Sequence, residues 1–214
     1  MSITTYAELQ TAVARWLKRD DLTAYIPDYI QFGENRLRYG DKGQFPTSPL
    51  RLRDYQGYSD GTSTGRSFPF IDPTFNTQVF IETISLSVTY GGSTYPLRYL
   101  PPQQFVEYDN DSGAPAYYTI KQGQFSIGPG PDVAYTHNYY YAPSSLSTTD
   151  NTNTLLTQYP DLYLFAACIE GALDIMSDSM AQRFASRLQG RLNTLNGLVN
   201  SNYAGGSLGI TIGR

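Results

Sequence analysis

The stretch YPDLYLFAACIEGALDIMSD, residues 159–178, decides the fold of this chain. It begins with Tyr-Pro-Asp: proline loses no needed hydrogen bond in a first helical turn, and the aspartate favours the positive end of the helix dipole. Eight apolar residues, 162–169, then run as far as Glu170. A membrane span needs ~20 such residues. The stretch therefore predicts a buried helix of a globular protein and not a transmembrane helix.

Two rows of charge follow the apolar run. Acidic residues recur at every fourth position, and the next helical segment carries arginines at the same spacing; the two rows are Glu170, Asp174 and Asp178, and Arg183, Arg187 and Arg191. Residues four apart share one helix face. A short turn near residues 177–179 would place both rows on one antiparallel helical hairpin. They are candidate subunit-interface rows, and the sequence leaves open whether they pair within a subunit or between neighbours.

Both ends of the chain are predicted to be helical. Thr5-Tyr6-Ala7-Glu8 is a capping box, in which the hydroxyl and the carboxylate satisfy backbone donors reciprocally. A second helix begins at Ile26-Pro27-Asp28-Tyr29, echoing residues 159–162, and Gly40 is a plausible stop. The last helix has an apolar stripe made of Met180, Phe184, Leu188, Leu192, Leu195 and Val199. Residues 1–44 and 146–203 are therefore expected to form the two halves of one helical bundle.

The middle of the chain, residues 45–145, is expected to be a β-rich insert. Between residues 46 and 145 lie 11 of the 13 prolines and 12 of the 19 tyrosines. Residues 84–90 alternate apolar and polar side chains and turn back at Gly91-Gly92. Further strands are predicted at 116–121, 124–127 and 133–141, an exposed loop at 54–67, and a linker at 143–154.

These patterns predict an α+β fold: a discontinuous helical bundle built from both chain ends, an inserted Tyr-rich antiparallel β domain, and an extended C-terminal tail at residues 204–214.

Composition excludes several classes of function. A formal net charge of −4 argues against a nucleic-acid binder that works by counterion release. With one cysteine, Cys168, and one histidine, His137, there is no disulfide framework and no zinc site of the usual ligands. His137 lies in a predicted strand among tyrosines, which favours a structural role. No catalytic, metal-binding or cofactor-binding residue is assigned, and no enzyme activity or cofactor is expected. The N-terminus lacks a signal-peptide pattern, so synthesis in a cytoplasm is expected.

Four segments, in order along the chain, carry a resemblance to a known family. They are TYAELQTAVARWLKRDDLTAYIPDYIQFGENRL (5–37), PLRYLPPQQFVEYD (96–109), PAYYTIKQGQFSIGPGP (115–131) and LLTQYPDLYLFAACIEGA (155–172), the last preceded by YYYAPSSLS (139–147). Together they resemble the head-to-tail adaptor (connector) proteins of tailed bacteriophages. None of the segments is a catalytic fingerprint.

The resemblance implies a structural virion protein at the head-tail junction, synthesised in the host bacterial cytoplasm. It implies a ring of twelve copies beneath the portal protein that extends the DNA channel and docks a downstream nozzle or tail-tube protein. DNA would pass without specific binding, and no membrane is involved.

The resemblance also assigns the C-terminal segment to portal docking. Its sequence AGGSLGITIGR fits that role, because glycines give reach and alternating apolar side chains can fill a cleft. The docking residues would be Leu208, Ile210, Ile212 and Arg214. Two alternatives stay open: another tail-structural subunit, such as a nozzle or tail terminator, and a carbohydrate-binding module whose tyrosines stack on sugars.

Overall fold

The computed structural model describes residues 3–19, 21–70, 78–110 and 112–203, with side chains described as far as residue 197. Within these ranges there are six α-helices and eight β-strands, which confirms the α+β class. The chain forms two compact units. A helical unit comprises the chain as far as Asp54 and again from Pro143, and a β unit comprises Tyr55–Ala142.

The helical unit begins and ends its helices with the predicted signals. Its helices are α1 (Tyr6–Leu17), α2 (Ile26–Tyr39), α4 (Thr154–Gln158), α5 (Pro160–Asp174) and α6 (Asp178–Tyr203). At the start of α1 the Glu8 N–H donates to Thr5 Oγ1 at 3.3 Å, and the Thr5 N–H donates to the Glu8 carboxylate at 3.0 Å. Helix α2 ends at Gly40, whose φ of 71° suits glycine. The capping box and the glycine stop are thus confirmed.

Helix α5, which covers most of the opening stretch, is the centre of the helical unit. Helices α1, α2 and α6 all pack against it, and its apolar run is buried along most of its length. Residues 175–177 join it to α6, whose side chains Phe184, Leu188, Leu192 and Leu195 are buried as the stripe predicted. Met180 is half-buried, and the side chain of Val199 lies outside the described residues. No helix in the described part of the chain is long and apolar enough to cross a membrane.

The β unit contains two four-stranded sheets. The first has the order β1 (Gln56–Thr62), β8 (Ala134–Ala142), β3 (Val79–Tyr90), β4 (Ser93–Pro96); the second has the order β2 (Ser67–Pro69), β7 (Gln124–Gly128), β6 (Tyr117–Lys121), β5 (Arg98–Tyr99). Neighbouring strands are antiparallel except β5 and β6. A short helix, α3 (Pro102–Phe105), follows β5. The predicted hairpin turn at Gly91-Gly92 joins β3 to β4, and both glycines have positive φ.

One prediction about the β unit is wrong. Residues 54–67 were expected to form an exposed loop, but β1 lies within them and pairs with β8 along its whole length. Two glycines of β1 lie directly against tyrosine rings. A Cβ on Gly57 would lie 2.5 Å from the ring of Tyr139, and a Cβ on Gly61 would lie 3.1 Å from the hydroxyl of Tyr135. The small residues that resemble a loop therefore make room for tyrosine rings on the neighbouring strand.

Candidate interaction surfaces

The first acidic residue of the row on α5 is engaged inside the helical unit. The Glu170 carboxylate accepts a hydrogen bond from Arg36 Nε at 2.6 Å. Arg36, which is buried, also donates through Nη1 to Asp41 at 2.7 Å and to the Phe45 carbonyl at 3.0 Å. One guanidinium thus joins α2, α5 and the segment that follows α2. Charge-assisted bonds of this kind are strong and directional, so Arg36 fixes how these three parts meet.

The other two acidic residues also contact groups within their own chain. Asp174 accepts from the Tyr29 hydroxyl at 2.5 Å, and Asp178 accepts from the Gln44 amide at 3.2 Å. Burial, with the hydrogen bond to Asp174, raises the pKa of Tyr29, so the phenol remains protonated and donates. The acidic row therefore faces α2 and the residues after it.

The arginine row on α6 faces different neighbours. Arg191 Nε lies 2.9 Å from Asp161 Oδ2, which closes the first turn of α5 against α6. Arg187 lies over the rings of Trp16 and Phe165, at 5.6 and 5.9 Å from their centroids. Arg183 is exposed, and within the described residues it has no ion-pair partner. Among those residues no ion pair joins the acidic row to the arginine row.

Sequence reasoning missed a second polar cluster, which holds residues 143–146 to α2. Glu34 is buried and accepts from the Leu146 N–H at 2.8 Å. Arg38 donates to Ser145 Oγ at 2.8 Å and to the Pro143 carbonyl at 3.4 Å. A sequence signal existed, because Glu34 continues the spacing of Ile26 and Ile30 on the apolar face of α2. A charge at such a position indicates a buried, partnered group.

The outer face of α2 carries an exposed aromatic row, which sequence reasoning also missed. Tyr25, the N-cap residue just before α2, recurs with Phe32 and Tyr39 every seven residues, and their exposed fractions are 55%, 54% and 60%. Seven residues are two helical turns, so the three rings share one face. Their spacing could have been read from the sequence, but not their exposure.

His137 and Cys168 are both structural in their settings. His137 is fully buried, its Nε2 lies 3.1 Å from Thr83 Oγ1, and its ring packs 4.7 Å from that of Phe125. Burial lowers the pKa of His137 to about 4. Burial raises the pKa of Cys168 to about 12. Neither group is open to a dissolved substrate.

Within the described residues no group of histidine, cysteine and carboxylate side chains could hold a metal ion. The predicted docking residues Leu208, Ile210, Ile212 and Arg214 lie outside the described part of the chain.

The geometry is that of a packed scaffold with buried ionic joints and an exposed aromatic row. A family model described as SU10 adaptor protein matches residues 4–208. The chain belongs to the SU10 adaptor protein family. This confirms the resemblance to phage head-to-tail adaptors, and membership implies that this adaptor is a virion component that contacts other phage head and tail proteins. No curated protein matches the adaptor.

Proposed function

We propose that this adaptor is a non-enzymatic structural protein that forms a ring beneath the portal, extends the DNA channel and docks the next tail component. The observation that carries the proposal is the family match over residues 4–208. The match spans both the helical unit and the β unit, so the proposal applies to both.

Ring formation requires each copy to present two complementary faces, because a head-to-tail contact closes only when the same joint repeats around an axis. The portal would serve as the template, with twelve copies in the ring. The charge rows on α5 and α6 are candidates for the joint. Arg183 and Arg187 fit this role best, since both are exposed while Glu170 and Arg191 are paired within the chain.

The charge of the chain fits a channel component. A net charge of −4 gives the protein as a whole no electrostatic attraction for a DNA backbone, which agrees with a channel that does not hold the genome. DNA would therefore move through the ring without specific binding. The downstream partner would be a nozzle or tail-tube protein.

The consecutive tyrosines at 139–141 do not support the carbohydrate-binding alternative. Tyr139 is buried and its ring covers Gly57, and Tyr140 and Tyr141 are half-buried. A platform that stacks on sugars requires exposed ring faces.

Native mass spectrometry of the full chain, with and without the portal protein, tests the proposal. We expect a monomer or weakly associated species alone and a ring of adaptor copies when portal is present. A folded adaptor that never joins portal would contradict the proposal. Placement of the chain in virion density by cryo-EM would then distinguish a nozzle or terminator subunit.

The C-terminal tail is proposed as the portal-docking element. Leu208, Ile210, Ile212 and Arg214 would insert between portal subunits, with the preceding glycines giving reach. Deleting residues 204–214 should abolish portal binding and leave the thermal unfolding temperature almost unchanged. Full binding by the truncated chain would refute the docking role. A full-length chain in which the three apolar tail residues are changed to serine keeps the length of the tail and should also lose portal binding if these side chains dock.

A further inference from the structure

The aromatic row on α2, made of Tyr25, Phe32 and Tyr39, has a surface composition that favours protein contact. Three large rings more than half exposed on one helix face are unusual for a surface that meets only water. The other exposed residues of this face are Asp28, Gln31 and Asn35. Asp28 is therefore the only charge on the face, and among the described residues it has no ion-pair partner.

A groove on α6 provides a surface of the opposite shape. It has a volume of about 360 Å³ and lies between α6 and the segment after α2. Its lining residues are uncharged: Phe45, Pro46, Gln182, Ala185, Ser186, Gln189, Gly190 and Asn193. The groove is open, partly apolar and large enough for an aromatic side chain.

Two glycines leave the backbone of α6 uncovered by side chains on its outer face. A Cβ on Gly190 or on Gly197 would meet no atom within 4 Å, so no contact inside the described chain requires either glycine. Glycine in an exposed helix interior disfavours the helix. Among the described residues, nothing covers the α6 backbone at these two positions.

The two surfaces share a spacing. On α2 the row is 25, 32, 39; on α6 the positions 183, 190, 197 recur at the same interval of seven residues. Two parallel helices placed with Phe32 opposite Gly190 bring Tyr25 opposite Arg183 and Tyr39 opposite Gly197. Large rings then face glycines, and the first ring faces a guanidinium, a favourable cation–π arrangement.

Charge agrees with this register. Asp28 precedes Phe32 by four residues, and Arg187 precedes Gly190 by three. In this register the Asp28 carboxylate would lie next to Arg187, the middle residue of the arginine row. In the reverse orientation Asp28 would meet Thr194 instead, so charge favours the parallel register.

We propose that the aromatic row on α2 of one copy packs along positions 183, 190 and 197 of α6 in a second copy, with Phe32 at Gly190, the one of these three residues that lines the groove. This inference rests on the proposed ring function, and it identifies the contact between neighbouring copies in the ring. Because the row and the groove are different patches of one chain, the contact is head-to-tail: each pair keeps a free row at one end and a free groove at the other. Addition of further copies can then continue until the ring closes.

Disulfide trapping tests the contact directly. Two proteins are purified, Phe32→Cys and Gly190→Cys, one carries a size tag, and the mixture is oxidised at high concentration. We expect the mixed dimer to form at least several-fold more than either homodimer. The native thiol does not compete, because Cys168 is buried with its pKa raised to about 12. The matched control pairs Phe32→Cys with Thr11→Cys, an exposed position on α1. Equal cross-linking of the control pair would overturn the proposal.

A mixing experiment tests the joint in assembly. Phe32→Asp breaks the row and Gly190→Trp fills the groove, and both sites are open enough for the chain to fold, which circular dichroism checks. On portal, each variant alone should fail to form rings. Mixed together at the high concentration used for trapping, they should form a weak 1:1 dimer and no larger species, because only one intact row and one intact groove are present in each pair.

The outcomes separate this inference from the proposed function. If both variants form rings on portal as the unmodified chain does, the docking contact is overturned and the ring function stands. If the unmodified chain forms no ring on portal while disulfide trapping between positions 32 and 190 stays selective, the contact stands and the ring function is overturned. If the unmodified chain forms no ring on portal and trapping between positions 32 and 190 is no more selective than the control pair, both are overturned.

Discussion

The helical unit and the β unit bury their interiors with different kinds of contact. In the helical unit, small residues let neighbouring helices pack closely: a Cβ on Gly33 would lie 2.8 Å from the Ala167 nitrogen, and one on Gly171 would lie 2.5 Å from Leu17 Cδ1. In the β unit, aromatic rings fill the space. Phe68 stacks on Tyr135 at 3.8 Å between centroids, and Phe125 lies 5.0 Å from Phe68.

The two units also treat buried charge differently. The helical unit holds Arg36 and Glu34 inside, each with partners that satisfy its polar atoms. The β unit holds His137 among rings, where burial keeps the imidazole neutral. The helical unit should therefore respond most to broken ionic joints and added volume. The β unit should respond most to lost rings and to acid.

Removing the central ring of the β unit should have the largest effect. Phe125→Ala deletes a fully buried side chain that contacts Phe68, Phe70 and Tyr118, so we expect a loss of roughly 3–5 kcal/mol in the free energy of unfolding. Hydrogen-exchange mass spectrometry on β7 and β8 peptides measures it. Phe32→Ala, at an exposed ring, is the control and should change stability by less than about 0.5 kcal/mol. Equal effects would mean that the ring cluster is not the core.

Removing Arg36, which forms ion pairs with Glu170 and Asp41 in the helical unit, should have the second-largest effect on stability. Arg36→Met leaves the mostly buried Glu170 without its partner, and we expect a loss of roughly 3 kcal/mol. Urea unfolding followed by the fluorescence of Trp16, the one tryptophan, reports on this unit. The double variant Arg36→Met with Glu170→Leu should recover part of the loss, because no uncompensated charge remains. A double variant less stable than the single one would contradict this explanation.

Acid should weaken the β unit through His137. The folded pKa is about 4 and the ordinary value is 6.5, so between these values the unfolded chain binds the extra proton and stability rises with pH. Relative to His137→Gln, the unmodified chain should lose up to about 3 kcal/mol as pH falls from 6.5 to 4. Denaturant titrations at several pH values measure the difference. If the difference in stability between the unmodified chain and His137→Gln does not vary with pH, this role of His137 is refuted.

Glu34 in the helical unit should make stability depend on pH in the opposite direction to His137. Burial raises the pKa of Glu34, while bonds to Leu146, Ser145 and Arg38 act against that shift. The contribution of this carboxyl to stability is present below its unfolded pKa and is lost as pH rises through its folded pKa. Glu34→Gln should therefore gain stability relative to the unmodified chain as pH rises. Urea unfolding followed by Trp16 fluorescence measures this difference.

The smallest effects should come from a pair of glycine variants. Gly33→Ala places a methyl group against the α5 backbone and should cost about 1–3 kcal/mol. Gly190→Ala meets no atom within 4 Å and should stabilise α6 by about 0.5–1 kcal/mol. Thermal unfolding temperatures of the two variants should therefore move in opposite directions. A shift in the same direction would show that α2 and α5 can separate to accept the methyl group.

Local signals let the sequence predict much of the fold. The capping box at Thr5, the proline starts of α2 and α5, the stripe of α6 and the alternation of β3 each depend on neighbours within a few turns or residues. Helical and strand periodicities are properties of a short segment, so they can be read before any tertiary contact is known.

By itself, then, the sequence determined the α+β class, the helical character of both ends and the family resemblance. Tertiary structure alone decided which charges meet and which rings stay exposed. Arg36 forms a hydrogen bond with Glu170, 134 residues further along the chain. The local sequence of β1 resembles a loop because its glycines lie against the rings of tyrosines on β8, a strand distant in sequence. The physical reason is distance in sequence: a partner's identity depends on how elements pack, and no local pattern encodes that packing.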